Sequence, residues 1–306
     1  MTITLAAFND IPCAWLSNGQ VQLAVSTDRG PRVLFLGWEG DPLCPPGTGR
    51  ANLFAELPDF VVDSPGGPFH FLGGHRLWHS PETLADTYWP DDEPVQIRTT
   101  EQGAVFAPPP DGLGIVKEIE FALAVGRPEV TVTHRLRRAS GPSATPRTGM
   151  GRPVRRAAWA LSMCRLGGVV LLPQPHGPLD PAGLLPNRRL VFWPYADLTD
   201  PRLILGNRMI RIDAQPGSAF KLGYFNRDGW LGYWLEGTLF TKSFERVSRT
   251  SYPDLGCNVE CYLNDQFVEI ETLGPLIRLG PGETATHVET WRLQAGVPRP
   301  SGDPLS

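Results

Sequence analysis

Helix-forming signal is scarce in this 306-residue sequence. One segment carries a start signal, SPETLAD, with Ser80 placed as N-cap, Pro81 at the first helical position and Glu82 behind it; it predicts a helix of two turns or so. Long apolar runs are missing as well. Val169 to Pro173 is far too short to cross a bilayer, so no membrane partner is expected. Charge of one sign is absent: 28 Lys and Arg stand against 32 Asp and Glu, and the net charge of −4 gives no electrostatic case for nucleic acid or an anionic membrane. Cysteine is sparse, five in all and scattered except for Cys257 and Cys261, which lie four apart on one face of a strand pattern, too far apart to bond each other. They read as buried free thiols in a reducing compartment, hence a cytoplasmic protein. The start, MTITLAAFNDIP, lacks the basic residues and apolar core of a secretory signal. There is also no serine nucleophile elbow, no phosphate-cradling glycine loop and no Cys/His zinc spacing.

What the chain does have is punctuation. Thirty-three glycines and 32 prolines, about a fifth of the residues, are spread along its whole length, which breaks helices and suits short strands joined by turns. Period-two segments recur. Gln20 to Ser26 and Arg32 to Trp38 flank a turn at Thr27 to Pro31; Glu118 to Ala124 and Glu129 to Leu136 flank Gly126. Phe220 to Phe225, Gly232 to Leu235 and Leu239 to Phe244 follow, then Thr284 to Leu293. The expectation is one large antiparallel all-β domain over residues 1–295. Within it, 139–153 reads as a mobile surface loop, and 296–306 follows as a disordered tail.

The densest chemistry lies in GCNVECYLNDQFVEIETLGP, residues 256–275. Side chains alternate across a strand, so Asn258, Glu260 and Tyr262 share one face, and Phe267, Glu269, Glu271 and Leu273 share another. A two-residue turn at Asn264-Asp265 sets Glu260 opposite Glu269; a four-residue loop sets it opposite Glu271. Either even register gathers the carboxylates on one face, although like charges directly opposite cost about 0.2–1 kcal/mol. Such a face is either a wet outer surface or a binding site. Aromatic rings beside carboxylates suit a sugar: rings for its apolar faces, carboxylates for its hydroxyl protons.

A second cluster occupies residues 70–94, HFLGGHRLWHSPETLADTYWPDDEP, with His70, His75, Arg76, Trp78, His79, Glu82 and Trp89. His75 and His79 would pair on a helix to hold a metal with Glu82, but Gly73-Gly74 and Pro81 argue against a helix there. The remaining readings are a solvated loop or a ligand-binding loop. In the latter, Arg76 donates a fork of hydrogen bonds and a histidine supplies a proton. Of the other histidines, His134 reads as half-buried and structural, His176 as surface and His287 as facing water. Lys221 and Lys242 read as outward-facing, or as counter-ions to the acidic face.

FVEIETLGPLIRLGPGETATHVETWRL, together with the first hairpin VQLAVSTDRGPRVLFLGW, resembles the galactose mutarotase-like superfamily, which includes the aldose 1-epimerases. GGHRLWHSPE looks like a distinct branch of it. The resemblance implies a large antiparallel β-supersandwich with very little helix, a sugar site and no cofactor or metal. It makes Glu271 the base at the anomeric hydroxyl, with a histidine as acid at the ring oxygen. The middle-strand segment AAWALSMCRLGG, residues 157–168, lacks the family's histidine, so the acid is expected to be His75 or His79. Arg76, Asn258, Glu260, Glu269 and Tyr262 are then expected to bind the substrate, with Trp78 or Trp89 stacking on it. The alternative is a non-catalytic carbohydrate-binding protein; a metal-dependent enzyme using His75, His79 and Glu82 is the weaker one. The partner is a small sugar or sugar derivative whose identity, like the oligomeric state, the sequence leaves open.

Overall fold

The structure, a computed structural model, describes residues 2–39, 52–140, 153–248 and 250–301. Among them no helix forms, and the chain runs through 22 strands. In order these are β1 (Thr2–Phe8), β2 (Ile11–Ser17), β3 (Val21–Ser26), β4 (Val33–Trp38), β5 (Glu56–Ser64), β6 (Gly67–Ser80), β7 (Gln96–Thr99), β8 (Gly103–Ala107), β9 (Ile115–Leu123), β10 (Glu129–Arg138) and β11 (Val154–Cys164). They continue with β12 (Val169–Pro173), β13 (Leu190–Phe192), β14 (Leu203–Leu205), β15 (Met209–Asp213), β16 (Phe220–Tyr224), β17 (Trp230–Leu235), β18 (Thr238–Phe244), β19 (Val259–Leu263), β20 (Val268–Leu273), β21 (Ile277–Leu279) and β22 (Thr284–Gln294).

All pairings are antiparallel and form two sheets. The first runs β1-β2-β3-β4-β6-β11-β20-β19-β16-β13, with β5 added to β6 and β21 to β11; the second runs β14-β15-β12-β17-β18-β22-β10-β9-β8-β7. Apolar residues alternate inward from both sheets into one core, among them Leu77, Ile270 and Leu222 from the first and Phe121, Phe240 and Trp291 from the second. The opposite face of the first sheet carries a second cluster, with Phe69, Phe71, Trp78, Trp159, Phe267 and Leu273. The sheet is therefore buried on both faces along its middle strands.

The Gly73-Gly74 pair belongs to a strand rather than a loop. β6 spends its first half against β5 and its second against β11, and the changeover falls at these glycines. Both have positive φ, and a Cβ would meet the Ala55 carbonyl oxygen at 1.9 Å or the Val33 carbonyl oxygen at 2.1 Å. Only glycine allows that approach. The helix expected from Ser80 does not form. Ser80 is the last residue of β6, paired with Ala157, and the residues after it make a single turn in which Thr87 N–H donates to the Thr83 carbonyl at 2.9 Å. Pro90 follows and disfavours helix at the residue before it.

The β19–β20 hairpin takes the four-residue loop. Asn264 Oδ1 accepts the N–H groups of Gln266 and Phe267 at 2.8 and 3.0 Å, and this side-chain turn fixes Glu260 opposite Glu271 and Tyr262 opposite Glu269. Residues 141–152 of the expected mobile loop and 302–306 of the expected tail lie outside the described residues. Residues 297–300 are not loose: Val297 N–H donates to Gly237 O at 2.9 Å, Trp234 Nε1 to Val297 O at 2.7 Å, and Arg299 pairs with Asp213 at 3.1 Å. Cys13, Cys164, Cys257 and Cys261 are free and buried, as the sequence suggested. No helix of the described residues is long and apolar enough to cross a membrane.

Candidate active site

The site grows from strand register. On the outer face of the first sheet, Arg76 of β6, Leu161 of β11, Glu271 of β20 and Glu260 of β19 form one row; Trp78, Trp159 and Leu273 form the row on one side of it. Met163, Glu269, Tyr262 and Lys221 form the row on the other side. Six residues singled out in the sequence, Arg76, Trp78, Glu260, Tyr262, Glu269 and Glu271, thus come from three strands to one face.

Above this face lies a cleft with two overlapping lobes. One, of about 400 Å³, is lined by Trp78, Trp159, Tyr262, Phe267, Lys221 and Glu269, with Phe60 and Val62 of β5 forming its rim. The other, of about 470 Å³, is lined by Trp159, Trp193, Lys221, Glu82, Asp254 and Glu260. Both are large enough for a monosaccharide.

Lys221 ties the carboxylates together. Its Nζ lies 2.8 Å from Glu260 Oε2 and 3.0 Å from Glu271 Oε2, and 4.7 Å from the ring centres of both Trp159 and Trp193. Burial alone would lower its pKa, but Glu260 and Glu271 outweigh burial and hold the ammonium well above the usual lysine range. Glu271 Oε2 also accepts Trp159 Nε1–H at 2.7 Å, and its Oε1 has no partner among the described residues. Glu271 lies beneath the cleft lining, behind Lys221 and Trp159, whereas Glu260 and Glu269 line the lobes. No hydrogen bond or ion pair reaches Glu269 among the described residues. Burial, then the Glu271 charge, raise its pKa to about 8 against the opposing charges of Arg76 and Lys221, which favours its protonated form. Burial likewise pushes Glu260 well up, opposed by Lys221 and reinforced by Glu271 and Asp254. Room for Glu260 comes from Gly223 opposite it, where a Cβ would stand 3.0 Å from Glu260 Cγ and 2.8 Å from Cys257 Sγ.

Arg76 is fully buried behind the cleft lining, against Phe71 and Trp78. Its guanidinium lies 4.6 Å from the Phe71 ring centre and 5.0 Å from that of Trp78, one nitrogen points at Met163 Sδ, and Nε and the other terminal nitrogen have no partner among the described residues.

The remaining expected residues go elsewhere. His75 and His79 alternate with Arg76 and Trp78, so they point through the sheet into the core between the two sheets, away from Glu260, Glu269 and Glu271. Asn258 is spent on structure: its Oδ1 accepts Asn226 N–H at 2.6 Å and its Nδ2 donates to Asn226 O at 2.9 Å, clamping the turn after β16. Trp89 lines a separate small cavity with Arg32, Pro31 and Pro90. The His75-His79-Glu82 grouping does not form, because residues four apart on a strand stand about 13 Å from each other. His79 instead faces Asp111 at 3.4 Å, and Glu82 accepts the Tyr88 hydroxyl at 2.6 Å.

His75 joins a different buried set between the sheets. His134 Nδ1–H donates to the His287 carbonyl at 3.2 Å, leaving its Nε2 to accept from His75 Nε2–H at 2.8 Å, while His75 Nδ1 accepts from Ser162 Oγ at 2.9 Å. His287 Nε2 lies 2.7 Å from Thr272 Oγ1, whose hydroxyl hydrogen goes to Glu289. Lys242 Nζ spends its three hydrogens on Glu289 Oε1 at 2.8 Å and the Ala160 and Ile270 carbonyls at 3.2 Å. Lys242 and His287 are thus buried rather than facing water, and His134 is fully buried. The ligand atoms of His75, His134 and Glu289 lie within 4.8 Å of one another, a metal-like grouping. The ammonium already neutralises the one carboxylate and every donor is taken, which makes the set a structural network.

Sequence reasoning missed Trp159, Trp193, Tyr88 and Asp254. Trp159 shares a strand face with Leu161 and Met163 in AAWALSMC, but its partner Glu271 is 112 residues away, and local pattern does not report such a pairing.

No protein-family model matches the chain, and no curated protein sequence does. Solved structures do. A candidate mutarotase from Salmonella typhimurium superposes with a TM-score of 0.56 at 9% identity over 96% of this chain and 94% of its own. A candidate aldose 1-epimerase from Escherichia coli K12 gives 0.53 at 15% identity over 96% of this chain and 100% of its own. The fold is galactose mutarotase-like. A TPR-domain containing protein from Parabacteroides distasonis also carries it, with a TM-score of 0.56 at 15% identity over 94% of this chain and 48% of that one. A mutarotase-like fold therefore positions a cleft here without deciding its chemistry.

Proposed function

We propose that this mutarotase-like cleft binds a free sugar and exchanges its anomers with two carboxyl groups, Glu260 as base and Glu269 as acid. The observation that carries this reading is the contrast between them: both line the cleft, but Glu260 has the Lys221 ammonium at 2.8 Å to hold its negative charge, while Glu269 has no ion pair among the described residues and its pKa is raised to about 8. They sit diagonally across the β19–β20 pair, about 7–8 Å apart at the backbone, on the same face of the sheet.

In this mechanism Glu260 Oε1 takes the proton of the anomeric hydroxyl as the C1–O1 bond becomes a carbonyl and the C1–ring oxygen bond breaks. The Glu269 carboxyl gives its proton to the ring oxygen. The open aldehyde turns and recloses on its other face, returning one proton to Glu269 and taking the other back from Glu260. Glu271, the base suggested by the family resemblance, holds Lys221 from below with Trp159. Glu269 takes the acid's role that the sequence gave to His75 or His79. Trp78, Trp159 and Tyr262 offer ring faces to the sugar.

A second reading, a carbohydrate-binding protein without turnover, is favoured by one contact: Lys221 occupies one oxygen of both Glu260 and Glu271. Anomer exchange by proton NMR on a panel of free hexoses separates the two. Exchange above the buffer rate that disappears in Glu269→Gln supports catalysis, whereas line-broadening without exchange supports binding alone.

A further inference from the structure

The two lobes of the cleft are not alike in charge. The second gathers three carboxylates, Glu82, Asp254 and Glu260, against the single ammonium of Lys221, which also serves Glu271 beneath. Surface-exposed Glu82 is solvated; the other two are less so. Glu260 is fully buried, and its Oε1 has no partner among the described residues. Asp254 is half-buried, in a left-handed conformation with φ of 47°, and Ser80 Oγ donates to its Oδ2 at 3.2 Å, which fixes the carboxylate in the lobe. The walls are aromatic. Trp159 and Trp193 already flank one ammonium, each 4.7 Å from Lys221 Nζ, and Tyr88 closes the side.

We propose that this lobe is a subsite for a protonated amine, so that the preferred ligand is an amino sugar with a free ammonium group. The inference rests on the sugar reading of the cleft and deepens it. A neutral hydroxyl would hydrogen-bond the carboxylates but leave their charge uncompensated. An ammonium would supply the counter-charge that Asp254 lacks among the described residues and present its hydrogens to Asp254 and to the unpartnered Oε1 of Glu260. It would also lie against indole faces, which stabilise a desolvated cation. The elevated pKa of Glu260, caused by burial and the charges of Glu271 and Asp254, points the same way, since a bound cation relieves that repulsion. The first lobe, with its apolar rings and protonated Glu269, would take the body of the sugar.

The test is a titration of the full chain at pH 6.5 with glucosamine, glucose, N-acetylglucosamine and glucuronic acid, read by calorimetry or ligand-observed NMR. Glucosamine is expected to bind at least about tenfold more tightly than glucose. That margin should shrink severalfold in 0.5 M salt, be absent for N-acetylglucosamine, and fall toward unity in Asp254→Asn. Asparagine tolerates the left-handed backbone at this position, and Glu82→Gln on the exposed rim is a second variant that leaves the fold alone. Equal affinity for glucose and glucosamine would overturn the amine subsite and leave the sugar reading standing. Preference for glucuronic acid would overturn it in favour of an anion at Arg76. Failure of all four sugars to bind would sink both readings.

Discussion

Glu260 and Glu271 face each other directly across the β19–β20 pair, and one ammonium, Lys221 Nζ, lies 2.8 Å from the first and 3.0 Å from the second. Two like charges at that separation are tolerated in a buried sheet because a third residue, from β16, is threaded between them. The carboxylate face conspicuous in the sequence is thus a charge cluster completed by a lysine some forty residues upstream.

Removing the ammonium should be costly. Lys221→Met leaves two buried carboxylates without a counter-ion, and breaking a buried pair on one side destabilises by about 3–5 kcal/mol. Urea unfolding is expected to show that loss, with a good part recovered in the Lys221→Met/Glu271→Gln double variant. A single variant as stable as the parent would mean that the cluster is not held as described.

Gly223 should be intolerant of even one methyl group. An alanine Cβ would crowd Glu260 Cγ and Cys257 Sγ, so Gly223→Ala should lose about 1–3 kcal/mol of stability from overpacking and displace Glu260. The accompanying loss of sugar binding, measured by calorimetry, should exceed that of an alanine placed at Gly177, where a Cβ meets nothing within 4 Å and the backbone, like that of Gly223, is not left-handed.

Anomer exchange should decline with alkali. Glu269 works in its protonated form and gives up its proton near pH 8, so the rate is expected to fall as pH rises through that region. Glu269→Gln should be slower by about 10²–10⁴-fold and lack this limb of the profile. A parent profile that stays flat between pH 6 and 9.5 would remove Glu269 from the acid's role.

Stability should fall on the acid side for a separate reason. Burial, against the Glu289 charge and with Lys242 adding to it, lowers His134 to about 3 and His287 to about 4; His75 is also held well below its ordinary range. The unfolded chain therefore binds protons below pH 6.5 that the folded chain refuses, and folding weakens as pH drops from 6.5 toward 4. Glu289, held down to about 2 chiefly by Lys242 despite burial, extends the loss below pH 4.5. Unfolding free energies from urea titrations at pH 7.5 and 4.5 should differ by on the order of a few kcal/mol, and by less in His134→Gln.

How much of this could be read in advance differs from element to element. The hairpins at Gly126 and at residues 27–31 and the strands of 220–244 were legible because alternation and turn residues are local signals. So was the gathering of Glu260, Glu269 and Glu271, since either even register of the hairpin produces it; the Asn264 side-chain turn then chose between the two. β6 was different. Gly73-Gly74 looked like a loop because glycine usually interrupts a strand, yet here it lets the strand change partners. Its second half is buried on both faces, so the sequence offers no polar side to tell Arg76 and Trp78 from His75 and His79.

The sequence by itself determined the antiparallel all-β class and the shared face of the three glutamates, because strand periodicity is a property of neighbouring residues. Only the tertiary structure decided that Lys221 is their counter-ion, that Trp159 and Trp193 wall the cleft, and that the histidines turn away from it. Those outcomes depend on which distant strands pair and in what register. That choice is made by burial of the whole core between the two sheets, and no local stretch of chain contains it.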